Sequence, residues 1–155
     1  MAAYKNKTIR RKENPANTSR PLSANSPDTV YAQVPCWSFC TCDSAAWQFS
    51  KEHLGDGFWN EILPKLRDYE RQTWGEILIS SKKQNHSIDV NSLNKIAQDR
   101  LIDLRIEASS IISLRLSGKH RLYGYLCGRV FCILWYDDDH GDNKTCVCRS
   151  HLKHT

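Results

Sequence analysis

The chain has 155 residues, 40% of them hydrophobic and 25% charged, enough for one globular domain with a short extension. No apolar run reaches the ~18 residues that span a bilayer and no secretion-signal pattern opens the chain, so a cytoplasmic protein without a membrane partner is expected. The net charge of +5 lies in the first 24 residues, where Lys5, Lys7, Arg10, Arg11, Lys12 and Arg20 oppose only Glu13. The rest is formally neutral and gives no global electrostatic case for a polyanionic partner.

Residues 1–30 are rich in Asn, Ser, Thr and Pro and show no periodicity, so a disordered basic tail is expected there. It serves either as a solubilising terminus or as a loose phosphate contact. Residues 31–155 are expected to form a single α+β domain.

VPCWSFCTCD (34–43) reads as a strand with Trp37 and Phe39 on one face and Cys36, Cys40 and Cys42 on the other. Asp56 then caps a helix in which Phe58, Ile62, Leu66 and Tyr69 recur every three or four residues. Pro64 within it forces a kink or a first-turn restart. Trp59 and Trp74 read as core and helix-packing aromatics. Residues 73–87 read as an apolar turn and a polar loop. Ser87 or Asp89 caps a second helix carrying Val90, Leu93, Ala97, Leu101 and Leu104 on one stripe.

From residue 109 the period changes from 3.6 to 2. A three-residue turn at 117–119 pairs Leu114 with Leu122 and Arg115 with Arg121, keeping core against core. A two-residue turn near Cys127-Gly128 then sets Phe131, Ile133 and Trp135 beside Leu122 and Leu126. The other face collects Arg115, Arg121, Tyr123, Tyr125, Cys132, Leu134 and Tyr136. The expected fold is α+β: an antiparallel sheet, made of one N-terminal strand and a C-terminal three-stranded meander, packed on one face against two helices.

Seven cysteines, an odd number without a secretion signal, argue against a disulfide framework. Cys40 and Cys42 could meet Cys146, Cys148 and His151 around zinc, but a C-x-C pair in a strand holds its thiols ~7 Å apart, a poor bite for one tetrahedral ion. Buried cysteines acting as small hydrophobes are the simpler reading. Asp137, Asp139 and His140 could bind a divalent ion, though a solvated loop after the last strand explains them more cheaply. No metal and no cofactor are expected.

The element order over residues 35–140, with the hairpin Leu116-Ser-Gly-Lys119-His120-Arg121-Leu122-Tyr123, resembles the RelE/ParE superfamily of bacterial toxin–antitoxin toxins. The resemblance implies one of two activities. RelE- and YoeB-like members cleave messenger RNA, commonly in the ribosome; ParE-like members inhibit gyrase without being nucleases. Fold alone does not choose between them.

Cleaving RNA without a metal requires proton transfer, stabilisation of phosphorane charge and a grip on the base. Arginine forks suit phosphate, histidine suits proton transfer near neutral pH, and tyrosine stacks on unpaired bases. The candidate catalytic residues are therefore His120, Arg121, Arg115 and Tyr123. Lys119, Tyr125, Arg149 and Lys153 are candidates for holding nucleic acid. The implied partners are RNA or the ribosome, with an antitoxin protein as regulator. The alternative is a non-enzymatic inhibitor or interaction module that binds a protein target. An ordinary wet sheet face would also carry such residues. The acidic run at 137–139 departs from the family pattern, because it repels phosphate and suits basic groups of a partner.

Overall fold

The computed structural model describes residues 27–141 and 146–148, so most of the expected tail, together with Arg149 and Lys153, lies outside the described residues. Helix α1 (Pro27–Tyr31) crosses the boundary expected at residue 30, and Val30 is buried in the core. Strand β1 (Cys36–Ser38) is shorter than expected. A four-residue helix α2 (Lys51–Leu54) follows, capped by the Ser50 hydroxyl on the His53 N–H. A π-helical turn (Phe58–Ile62) then runs into α3 (Leu63–Tyr69). Pro64 sits in the first turn of α3, where its missing N–H costs nothing, so the expected restart is what forms.

The segment read as a polar loop contains a second π-helical turn (Glu76–Ser80) and a strand, β2 (His86–Asp89). Asp89 caps only a single 3₁₀ turn, Val90–Ser92. The helix proper, α4 (Lys95–Asp103), is capped by Asn94, whose side chain accepts the Ile96 N–H at 2.9 Å. The expected helix start was thus early by about a turn and a half. Only Ile88 of β2 is buried, so its sequence carries too short an alternation to be read as a strand.

Strands β3 (Ser110–Ser117), β4 (His120–Cys127) and β5 (Val130–Asp137) form the expected meander. The described sheet has five strands in the order β1-β5-β4-β3-β2. It is mixed and not purely antiparallel, because β1 runs parallel to β5.

Both faces of this sheet are covered, which corrects the expectation of helices on one side. On one face Ile62, Leu66 and Tyr69 pack with Trp74 and Ile77 against Ile112, Leu114, Leu122, Phe131, Ile133 and Tyr136. The Trp37, Trp74 and Phe131 rings there meet pairwise with centroids 5.9 Å apart. On the other face Leu93, Ala97 and Leu101 of the α4 region pack with Val147 against Ile111, Tyr123, Leu134 and Trp135. Trp74 is a core aromatic, as expected. Trp59 is not: 66% of it is exposed.

Two irregularities decide which side chains share a face. Between β3 and β4, Leu114 lies opposite Leu122 and Arg115 opposite Arg121, as the turn parity demanded. The route differs, however. Ser117 pairs with His120 across a two-residue turn, and Leu116 is the extra residue of a bulge. Between β4 and β5 a second shift lies at Tyr123/Gly124, with Gly124 opposite Ile133 but Tyr123 opposite Trp135. Leu134 is the extra residue, so Leu134 and Trp135 both reach the α4 face. Tyr136 moves to the other face, opposite Leu122. Trp135 and Tyr136 therefore exchange the faces that strict alternation assigns them.

Candidate functional site

Arg115 and Arg121 stand directly opposite each other on β3 and β4, on the face that also carries Ser113 and Tyr123. Like charges so placed repel. Burial, and then the Arg115 charge, lower the pKa of Arg121. The Arg121 guanidinium is fixed by the hairpin, its Nη1 donating to the carbonyls of Gly118 (2.7 Å) and His120 (2.9 Å). Among the described residues neither arginine makes an ion pair within 4 Å, and the Arg115 guanidinium makes no hydrogen bond.

The Arg115 backbone is held firmly. Its N–H donates to the Asn85 side-chain oxygen at 2.8 Å, and its carbonyl accepts the Tyr69 hydroxyl at 2.5 Å. Asn85, itself buried, also receives the Tyr69 hydroxyl and donates to the Ile77 carbonyl. A rigid peptide with an uncommitted cationic head is an arrangement suited to an anionic ligand.

Asp137 lies across from Arg121 on β5 and is buried, yet its carboxylate does not pair with the arginine. Its two oxygens accept the backbone N–H groups of Asp139 and Val147, each at 3.0 Å. Burial raises its pKa against those hydrogen bonds. The carboxylate thus anchors the chain after β5, and its charge acts on Arg121 through space without an ion pair within 4 Å.

Tyr123 is fully buried, and its hydroxyl meets His140 Nδ1 at 3.0 Å. Burial, followed by the Asp137 charge, drives its pKa far upward, so the hydroxyl keeps its proton. The contact orients the ring, with the hydroxyl as donor or acceptor according to the imidazole tautomer. The His140 N–H is tied to the Lys119 carbonyl at 3.1 Å, fixing the histidine against the hairpin turn.

The structure divides the candidates named from sequence. Arg115, Arg121 and Tyr123 share one face and one end of the sheet. His120 is on the opposite face, stacked on Tyr136 at 5.8 Å with its Nδ1 2.5 Å from the tyrosine hydroxyl. The Tyr123 ring is enclosed and cannot stack on a base. Tyr125 is on the arginine face but four residues further along β4, roughly 13 Å away, opposite Cys132. Lys119 is exposed at the turn, 3.8 Å from Asp139.

The sequence offers His140 only as a metal ligand beside Asp137 and Asp139, and its contact with Tyr123 is missed there, because only the bulge at Leu134 and the turn after β5 bring the two together. A cleft of about 470 Å³ adjoins this end, bordered by Trp47, Glu52, His53, Asp137, Asp138 and Asp139. Its acidic rim, with Glu52, Asp137, Asp138 and Asp139, repels a polyanion, which leaves the β3–β4 hairpin side as the open approach to the arginines. Among the described residues, no group of three or more His, Cys, Asp or Glu side chains is placed to hold a metal ion. None of the helices among those residues is long and apolar enough to cross a membrane.

The fold and site thus define an α+β domain with a mixed five-stranded sheet, covered on both faces, that presents a cross-strand arginine pair at one end. No family model matches the chain, and neither the curated proteins nor the solved structures yielded a match.

Proposed function

We propose that this protein is a toxin-like RNA endonuclease that inhibits translation, acting on RNA free or in the ribosome through the end of the sheet that carries Arg115 and Arg121. The observation that carries the reading is the cross-strand arginine pair, neither member of which makes an ion pair within 4 Å among the described residues. Two cations held side by side are costly unless an anion joins them, and a phosphodiester fits a pair of guanidinium forks. In this reading Arg115 grips the scissile phosphate, Arg121 shapes the turn and adds charge, and His140, oriented by Tyr123, transfers the proton. His120, on the other face, has no part in the chemistry.

The test is pulse-labelling of protein and DNA synthesis after induced expression in bacteria, with wild type beside Arg115→Ala. Arg115 is the cleaner position because, among the described residues, its half-buried side chain makes no hydrogen bond and no ion pair, whereas that of Arg121 holds the turn. A rapid fall in protein synthesis that the substitution abolishes is the expected result. Unimpaired synthesis with the wild-type chain overturns the reading.

A second reading, a non-enzymatic inhibitor that binds a protein target, has its own support. Phe39, Phe49, Phe58 and Trp59 form a chain of ring contacts at 5.6, 6.3 and 5.1 Å, exposed at both ends. Such a stripe suits a protein partner. Under that reading Trp59→Ala abolishes inhibition and Arg115→Ala does not.

A further inference from the structure

The cysteines divide sharply by environment. Cys132, Cys146 and Cys148 are buried, Cys36 and Cys42 are half-buried, and Cys40 and Cys127 are exposed. The expectation of buried, inert thiols therefore fails for the last two.

Register also gathers them. Cys36 and Cys127 flank Val130 from either side, and Cys132 lies one row further along β5, between Ser38 and Tyr125, on the same face. After β1 the chain turns, with the Cys42 N–H on the Phe39 carbonyl at 3.2 Å. Thr41 pins that turn to β5 through its hydroxyl on the Ile133 carbonyl at 2.8 Å. Cys40 is thereby held between Ser38, which pairs with Cys132, and Thr41, which is bonded at Ile133, and the charges of Cys127 and then Cys40 both act on the Cys132 thiol.

A cavity of about 320 Å³ opens beside this turn, lined by Cys40, Thr41, Cys42, Arg105, Ile106 and Tyr125. Arg105 makes no ion pair among the described residues, so the cavity offers a thiol and an unneutralised cation together.

We propose that this cavity is a thiol-modification site that takes a small anionic disulfide, with Cys40 as the attacking thiol, Arg105 as the anion contact and Cys132 as the resolving thiol. In the first step the Cys40 thiolate attacks one sulfur of the disulfide. A mixed disulfide forms, and half of the reagent leaves as a thiolate that takes up a proton. In the second step the Cys132 thiolate attacks Cys40 Sγ, giving a Cys40–Cys132 disulfide and releasing the other half as thiol. Two protein thiols are oxidised and one disulfide is reduced to two thiols, so atoms and electrons balance. Burial raises the Cys132 pKa, which makes the second step the slower one at neutral pH. Cys42, pushed up to about 12 mainly by burial, stays a thiol and does not compete.

The experiment treats the full chain with oxidised glutathione and maps adducts over time by mass spectrometry of non-reduced peptides. Glutathione on Cys40 first, then a Cys40–Cys132 link, is the expected order, and Cys132→Ser stops at the adduct. Arg105→Ala slows the first step several-fold with oxidised glutathione and leaves unchanged the rate with the neutral hydroxyethyl disulfide. Equal or faster modification of exposed Cys127 overturns the proposal, because exposure alone then sets reactivity. Adducts that form only in denaturant, or an Arg105→Ala effect equal for both reagents, overturn it as well.

Discussion

Tyr123 and Trp135 face each other across β4 and β5 on the arginine side of the sheet, although strict alternation from the turn would set them on opposite sides. The shift depends on Gly124. A Cβ there would lie 2.2 Å from the Cys132 carbonyl oxygen and 2.8 Å from the Phe131 ring. No side chain fits that gap, and the atoms that would have to yield belong to the β5 backbone and a buried ring. Gly124→Ala is therefore expected to destabilise the fold by about 1–3 kcal/mol or to shift the register. Chemical denaturation checks it, and a change below about 0.5 kcal/mol would show that the bulge tolerates a methyl group.

Asn85 ties β3 to the opposite layer through three contacts: the Arg115 N–H, the Tyr69 hydroxyl and the Ile77 carbonyl. Asn85→Ala strands buried polar groups at both ends of those bonds. The expected loss is about 2–3 kcal/mol, larger than for Tyr69→Phe, which removes a donor but keeps the ring packed. Equal losses in the two variants would mean that Asn85 is not the hub.

The fold should weaken in acid through Asp43. Its buried carboxylate accepts Arg100 at 2.8 and 2.9 Å, the Trp135 indole N–H at 3.0 Å and the Ala45 N–H at 2.9 Å. Burial alone would raise its pKa, but these hydrogen bonds, led by Arg100, outweigh it and the pKa is lowered. A lowered folded-state value contributes stability that is fully present above the unfolded pKa of about 3.9. That stability is lost as pH falls through the folded value. Asp43→Asn should lower stability at neutral pH and flatten the acid limb below about pH 4. Parallel acid limbs in variant and wild type would assign that limb to other carboxylates.

Tyr123→Phe separates the proton-transfer assignment from packing. The ring stays buried while the hydrogen bond to His140 is lost, at a stability cost of about 1 kcal/mol. RNA cleavage should fall, and its pH profile should change, because the imidazole loses the hydroxyl that orients it. An unchanged profile would remove His140 from the chemistry.

Much of the meander was legible because period-2 patterning and turn parity constrain each other. Leu114 against Leu122 and Arg115 against Arg121 follow from keeping apolar with apolar. The Pro64 restart follows from the missing N–H of proline. What escaped has a common physical cause: side chains far apart in sequence meet only after the bulge and the chain reversals are fixed. Trp135 and Tyr136 exchange faces through one extra residue at Leu134. His140 reaches Tyr123 only because the chain after β5 folds back against Lys119. β2 has one buried residue and leaves almost no trace in the sequence. His120 is different, since neighbouring strand residues point to opposite faces and its separation from Arg121 was readable.

The most direct measurement is cleavage of a single-stranded RNA by the purified full chain, with and without ribosomes, comparing wild type, Arg115→Ala and His120→Ala. Wild type and His120→Ala should cleave alike, while Arg115→Ala should lose on the order of 10²–10³-fold in rate with its fold intact. Absence of cleavage by wild type under both conditions, or equal cleavage by wild type and Arg115→Ala, would contradict the assignment of RNA chemistry to the arginine pair.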